Sequence, residues 1–469
     1  MRSCFIVWLL ICYRATVACA QPSAEPTPAS GPPNIIIFIV DDLGYSDVGF
    51  NGGTDIQTPH IDALASRGAI LNAHYVQPVC SPTRAAMLTG RYATHTGVYT
   101  VVRPHARWGL PLQERTLATA LQEVGYETCI AGKWHLGEFE ASYRPTARGF
   151  QRQYGHYFGA IDYFTHERDA SHDWYRDDVE LREDGYSTEL IASECVRIIR
   201  ERSAGPSAKP LFLYVPFNGV HGPLQVPKSY LKPYEHLQGN RRTYAGMLSA
   251  VDTAIGRILQ ALQDEQQLDQ SLILFSSDNG GPNPGVLTRN GRFRAGKGTL
   301  YEGGIRSAAC VTWPGKIPAG VRKDAPIHII DWFPTLLEVA GGSLAQPLPL
   351  DGKSLIPFLT QDQPTPHESL LLVQSPERAA IRAGDWKLLQ LTESAAADAA
   401  PPGKRGGAAA KKGNRRQAPQ PAGNSELYNL STDPEERRNV VNEHPDVVRR
   451  LKSQLDEYLK DAVPPGQPG

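Results

Sequence analysis

The sequence predicts an α/β protein: a large, mostly parallel central sheet flanked by helices, followed by a smaller C-terminal α+β unit with an antiparallel sheet. Three observations carry this prediction. Uninterrupted apolar runs at residues 34–40 (N-I-I-I-F-I-V), 211–215 and 272–275 suit strands buried on both faces of a parallel sheet. Helical stretches at 116–124, 188–200 and 243–262 alternate with these runs, as an α/β sandwich requires. Acidic and amide residues stand directly after the first and third runs, where open α/β sheets bind their ligands.

At 469 residues the chain can bury a sizeable core, in about two domains. A content of 41% hydrophobic and 21% charged residues is that of a globular chain, not a disordered one. The formal net charge of -1 provides no global positive field for nucleic acid, so an anionic ligand must meet cations gathered locally.

Residues 1–20 read as a secretory signal, with Arg2 at the start, a short apolar core at 5–13 and Ala18-Cys19-Ala20 as a cleavage site before Gln21. The apolar core is too short to span a bilayer, and no transmembrane segment is expected elsewhere. Lipid anchoring at Cys19 is an alternative that the preceding residues fit poorly. The expected location is periplasmic or extracellular in a bacterium, and secreted or lysosomal in a eukaryote. Residues 21–33, rich in Pro, Ser and Ala, form a flexible lead-in. Beyond the signal stand Cys80, Cys129, Cys195 and Cys310, widely spaced and without a C-x-x-C pair. Buried free thiols are therefore expected, not a zinc site or a disulfide framework.

The main domain is expected at 34–349 and the smaller one at 350–469. Within the latter, 370–373, 379–382 and 387–389 read as short antiparallel strands, with Asp385 in the turn between the last two and a closing helix at 445–460. Residues 394–424 are rich in Ala, Gly, Pro, Lys and Arg and read as a disordered surface insertion.

Chemistry-bearing residues recur at fixed places in this scheme. Asp41-Asp42 follows the first strand and Asp278-Asn279-Gly280-Gly281 follows the third. Three carboxylates and an amide suit a hard cation, calcium first and magnesium second, although D-D and D-N-G are also ordinary turn sequences. Cys80-Ser81-Pro82-Thr83-Arg84 opens a short helix, with Ser81 as N-cap, Pro82 at the first helical position and Gly90 at the stop. A thiol at such a helix mouth is expected to be activated, and an oxyanion beside it stabilised. In Gly132-Lys133-Trp134-His135-Leu136-Gly137, Lys133 supplies a compact positive charge for a sulfate or phosphate oxygen and His135 a group that shuttles protons near neutral pH. His221 follows the second strand, and the Gly-flanked Lys297 suggests close approach of the backbone to a ligand.

C-S-P-T-R followed by L-T-G-R, together with G-K-W-H-L-G and the other segments, resembles the type I sulfatases over roughly residues 34–389. A closer likeness to the arylsulfatase B type, the N-acetylgalactosamine-4-sulfatases, lies in Pro223-Leu224-Gln225-Val226-Pro227, in Asp162-Tyr163-Phe164-Thr165-His166-Glu167-Arg168 and in His328-Ile329-Ile330-Asp331-Trp332. The resemblance implies an alkaline-phosphatase-like sandwich and a sulfuric ester hydrolase acting on a sulfated sugar of the N-acetylgalactosamine 4-sulfate type. It implies that Cys80 is converted to formylglycine by a formylglycine-generating or anaerobic sulfatase-maturing enzyme, the partner this chain then needs. Asp41, Asp42, Asp278 and Asn279 would hold calcium beside residue 80, itself counted among the metal's neighbours. Arg84 would steady residue 80. Lys133, His221 and Lys297 would grip the sulfate, with His221 or Lys297 protonating the departing alcohol, and His135 would take a proton from residue 80. Tyr163, His166 and Glu167 are candidates for contacting the sugar.

Two stretches depart from that likeness: residues 101–110, and the basic insertion at 394–424. A phosphonate or phosphodiester hydrolase of the same superfold is the alternative enzyme, and an inactive glycan-binding protein the alternative from another class.

Overall fold

The computed structural model describes residues 31–204, 209–391 and 425–466. The predicted signal at 1–20, Cys19, most of the lead-in and the predicted insertion at 394–424 lie outside the described residues. From Pro32 onward the chain packs as one unit.

Its centre is a ten-stranded sheet. In chain order the strands are β1 (Asn34–Val40), β2 (Ala69–Leu71), β3 (Glu127–Lys133), β4 (Arg152–His156) and β5 (Tyr175–Arg176). They continue with β6 (Val179–Glu180), β7 (Leu211–Pro216), β8 (Ser271–Ser277), β9 (Ala309–Thr312) and β10 (Val321–Lys323). Across the sheet the order is β10-β2-β9-β8-β1-β7-β3-β4-β5-β6. The five central strands, β8, β1, β7, β3 and β4, are all parallel. β9 runs against both β8 and β2, so β2 and its parallel partner β10 point the same way as β8.

The uninterrupted apolar character of β1 follows from cover on both faces. Ile35, Ile37 and Ile39 pack in one core with the helices Cys80–Thr89, Leu117–Glu123 and Trp332–Val339. Ile36, Phe38 and Val40 pack in the other with Ser187–Ala204 and Gly239–Asp264. Strand residues alternate sides, so each face needs its own apolar set. The predicted α/β sandwich is thus observed, and its helices lie where the sequence placed them. Thr116 caps Leu117–Glu123, its hydroxyl accepting from Thr119 N at 3.1 Å.

The C-terminal sheet has four antiparallel strands: β11 (Leu370–Ser375), β12 (Arg378–Ala383), β13 (Trp386–Gln390) and β14 (Ser425–Asn429). It joins the main body through a third core, in which Leu370, Leu372, Ala380 and Leu389 meet Tyr75, Leu300 and Ile305. Cys80, Cys129, Cys195 and Cys310 are buried free thiols. Among the described residues no helix is long and apolar enough to cross a membrane.

Candidate active site

β1 and β8 run in register, with Val40 opposite Ser277. The chain therefore leaves both strands at the same level, and Asp41, Asp42, Asp278 and Asn279 emerge side by side. Adjacent residues of a strand point to opposite faces, but Asp42 takes φ 64°. This left-handed turn brings its carboxylate into the same cluster as that of Asp41. Ligating atoms of Asp41, Asp42, Cys80 and Asp278 all lie within 4.8 Å of one another, and all four residues are buried.

Cys80 is the first residue of its helix, which Gly90 ends at φ 69°. Its Sγ lies 3.6 Å from Asp41 Oδ1 and 3.6 Å from Lys297 Nζ. Ser81 does not act as the predicted N-cap. Val79 occupies that position without a side-chain cap, and the Ser81 hydroxyl instead donates to His135 O at 2.8 Å and accepts from Val102 N at 3.1 Å. Nor does the helix mouth activate the thiol as the sequence suggested. Burial and the Asp41 carboxylate push the Cys80 thiol up to about 12, outweighing Lys133 and Lys297.

Three cations offset the three carboxylates. Arg84 is buried and spans the site: Nε and Nη2 donate to Asp278 Oδ2 at 3.2 and 2.8 Å, and Nη1 to Lys133 O at 2.9 Å. Lys133, at the end of β3, donates from Nζ to Asp41 Oδ2. Lys297 Nζ donates to Asp42 Oδ1 at 2.5 Å. Burial alone would raise the pKa of Asp41, but Lys133, His221, Arg84 and Lys297 together hold it far below the carboxylate range. Asp278 is shifted upward by burial and by the Asp41 charge.

The two histidines differ in surroundings. His221 is 28% exposed, with Nε2 3.7 Å from Asp42 Oδ2. Its Nδ1 lies 2.7 Å from Gly222 O, a carbonyl that only accepts, so Nδ1 carries the proton and Nε2 faces the site. His135, at φ 61°, is buried, and its Nδ1 has no hydrogen-bond partner. Burial, with the charges of Lys133 and Arg84, holds its pKa well below the usual imidazole value. Gly159 makes room for this ring: a Cβ there would lie 2.4 Å from His135 Nε2.

The structure thus brings Asp41, Asp42, Cys80, Arg84, Lys133, His135, His221, Asp278, Asn279 and Lys297 to one edge of the sheet. It does not present Tyr163 and His166 as sugar-facing side chains. Tyr163 is buried, and its hydroxyl lies 2.7 Å from the carbonyl oxygens of both Asn218 and His221, so it braces the His221 loop. His166 is buried in a stack with Trp174, at 4.5 Å between ring centroids. Glu167 is exposed, in a two-residue strand paired with Ser171–His172.

The donor set fits a hard divalent cation. Asn279 Nδ2 donates to Asp42 Oδ1 at 2.7 Å, while its Oδ1 is buried without a partner. An orphaned acceptor beside three carboxylates is what a cation would satisfy. The carboxylates already match Arg84, Lys133 and Lys297 in charge, so a divalent ion would leave the site positive and ready for an anion.

The comparisons with known proteins agree with this chemistry. The sulfatase family model matches residues 33–343. Mouse (Mus musculus) arylsulfatase J is 34% identical over 95% of this chain and 79% of its own length. Dog (Canis lupus familiaris) N-acetylgalactosamine-6-sulfatase is 33% identical over 72% of this chain and 68% of its own. The crystal structure of Ps i-CgsB in complex with k-i-k-neocarrahexaose superimposes with a TM-score of 0.82 at 30% identity, covering 92% of this chain and 94% of that one. With the fold, the site and these relatives in agreement, the chain belongs to the sulfatase family and is a sulfuric ester hydrolase.

Proposed function

We propose that this sulfatase removes sulfate from a sulfated glycan of the N-acetylgalactosamine 4-sulfate type, with Cys80 converted to formylglycine and calcium held by Asp41, Asp42, Asp278 and Asn279. The observation that carries the reading is the position of Cys80 Sγ, 3.6 Å from both the Asp41 carboxylate and the Lys297 ammonium, at the centre of the acidic cluster. When bound, calcium supplies a Lewis acid that polarises a sulfate oxygen.

The chain's own groups account for the remaining work. Lys133 and Lys297 flank residue 80 and lie where charge on the sulfate oxygens would develop. His221, partly exposed, would protonate the departing sugar oxygen from Nε2 as the imidazolium, since the Gly222 carbonyl holds the Nδ1 proton. His135, kept neutral by burial and nearby cations, is placed to accept a proton from residue 80. Arg84 ties Asp278 to the end of β3 and so fixes the acidic cluster around residue 80.

The sulfated-glycan class draws support from a relative named N-acetylgalactosamine-6-sulfatase and from the neocarrahexaose complex, while position 4 of the sulfate rests on the sequence likeness alone. Residues 101–110 are tied to the chain neighbours of two site residues, since Val102 N donates to Ser81 Oγ, next to Cys80, and Leu110 N to Leu136 O at 2.8 Å, next to His135. We therefore assign this loop the choice of sugar. Export rests on the predicted signal at 1–20, and the division into domains at about residue 350 rests on the change of sheet there.

The test uses protein made with a maturing enzyme, with the Cys80 conversion read from the mass of its peptide. Sulfate release is then measured from N-acetylgalactosamine 4-sulfate, its 6-sulfate isomer and a phosphate analogue, with and without calcium. Calcium-dependent release from the 4-sulfate alone is expected. Release from the 6-sulfate only would reject the sugar isomer, and preference for the phosphate would favour the alternative hydrolase.

A further inference from the structure

A cavity of about 410 Å³ whose lining includes none of the catalytic residues is walled by Tyr45, Asn72, Arg292, Phe293, Arg306 and Asp324, among others. Its position follows from the sheet. Tyr45 lies in the loop that leaves β1 through Asp41 and Asp42, Asn72 follows β2, Asp324 follows β10, and Arg306 precedes the antiparallel β9. Because β2 and β10 run with β8, all these residues stand at the same edge of the sheet as Asp41 and Asp278. β2 is two strands from β8, which at the usual strand spacing puts Asn72 about 10 Å along that edge from Asp278.

The cavity has an aromatic floor and a surplus of guanidinium groups. Tyr45 and Phe293 meet edge to face at 4.8 Å. Arg306 lies 4.5 Å and Arg292 5.8 Å from the Phe293 ring, which orients both. Arg306 is further held by Asn72 O at 2.6 Å and Glu302 Oε2 at 3.1 Å. Arg292 is exposed and stands over Phe293 with no carboxylate in ion-pair range among the described residues. The acidic member of the lining, Asp324, accepts from Asn72 Nδ2 at 2.6 Å. An arginine without a carboxylate partner beside an aromatic wall suits a planar carboxylate or a sulfate ester carried on a sugar.

We infer that this cavity is a secondary anion subsite for the glycan, holding a further acidic substituent of a chain whose scissile sulfate lies at Cys80. The inference rests on the sulfated-glycan reading above and extends it from a single sugar to a chain. The second anion is a sulfate ester or a uronate carboxylate, and Arg292 is the residue that recognises it. A small aryl sulfate carries no second anion for Arg292 to hold, so it should be indifferent to this residue.

The test pairs binding with turnover. Equilibrium binding of a chondroitin 4-sulfate hexasaccharide is measured on Cys80→Ala, with Arg292 intact or changed to Glu or Lys, and with unfolding temperature as the folding control. Arg292→Glu is expected to weaken binding about tenfold, and Arg292→Lys by less. Unsulfated chondroitin hexasaccharide separates the two anions: sensitivity retained with it identifies the carboxylate, and sensitivity lost identifies the sulfate. In the matured enzyme, Arg292→Glu should raise KM for the hexasaccharide and leave kcat/KM for p-nitrophenyl sulfate unchanged. Equal binding by the Arg292 variants, or no hexasaccharide binding at all, overturns the subsite. Arg292-dependent binding without sulfate release from the hexasaccharide would retain the subsite and reject the proposed substrate.

Discussion

Lys387 Nζ lies 2.9 Å from Glu302 Oε1, and both side chains are completely buried. The same ammonium lies 2.8 Å from Glu436 Oε1, so a lysine of the C-terminal sheet holds two carboxylates of the body and tail together. Glu302 begins the turn of helix whose Gly303 backbone presses on Gly280; a Cβ at Gly280 would lie 1.8 Å from Gly303 O. Lys387 therefore braces the wall behind Asn279. Replacing it by methionine removes the ammonium that two buried carboxylates share and leaves Glu302 with Arg306 but Glu436 without a cation, at a cost of about 3–5 kcal/mol. Urea unfolding of Lys387→Met should show this loss, and calcium titration of the folded variant should show weaker affinity.

Gly159→Ala tests the placement of His135. The added methyl would sit 2.4 Å from His135 Nε2, so the ring must move. A misplacement of about 1 Å can cost on the order of a hundredfold in rate. Single-turnover kinetics should show a fall of that order in kcat, with the unfolding temperature little changed.

Cation binding should be visible without turnover. If Asn279 Oδ1 and the three carboxylates hold calcium, saturating ion will raise the unfolding temperature even of Cys80→Ser. At a concentration about 100 times Kd the gain is about 2.7 kcal/mol. Asn279→Leu removes the orphaned acceptor and should reduce that gain, while an equal shift in both proteins would argue against the assignment.

Acid should destabilise the fold through His74. Its Nε2 accepts from Trp332 Nε1 at 3.0 Å, and burial lowers its pKa from 6.5 to about 3. The folded state binds this proton less readily than the unfolded one, so the stability is complete above about pH 6.5 and falls as pH drops toward 3. Between pH 6.5 and 5 this one group withdraws about 2 kcal/mol. Comparing the pH dependence of His74→Gln with that of the parent should reveal a shallower acid limb in the variant.

The central strands were legible because burial on both faces leaves a continuous apolar run in β1, β7 and β8. The two-residue strands β5 and β6 carry no such run: Tyr175, Arg176, Val179 and Glu180 are held by pairing with β4 and each other. β14 was missed because its partner lies on the far side of a long insertion. Among site residues, those in Gly-rich motifs directly after strands could be read one by one. The Ser81 contact with the His135 carbonyl joins residues 54 apart, and the Lys387–Glu302 pair joins residues 85 apart. No local pattern announces either. Tyr163 shows the converse, since a polar aromatic near the right motif went to the core once its hydroxyl found two carbonyls.

β13 and β14 pair in register, with Gln390 opposite Ser425. The chain therefore departs and returns at one rung of the ladder, so the pairing sets no length for the chain between. Lengthening such a loop costs little, about 0.6 kcal/mol per doubling. The β13–β14 connection is thus a natural port for genetic grafting: a reporter domain or affinity handle inserted there would share no rung with Lys387 or Tyr428.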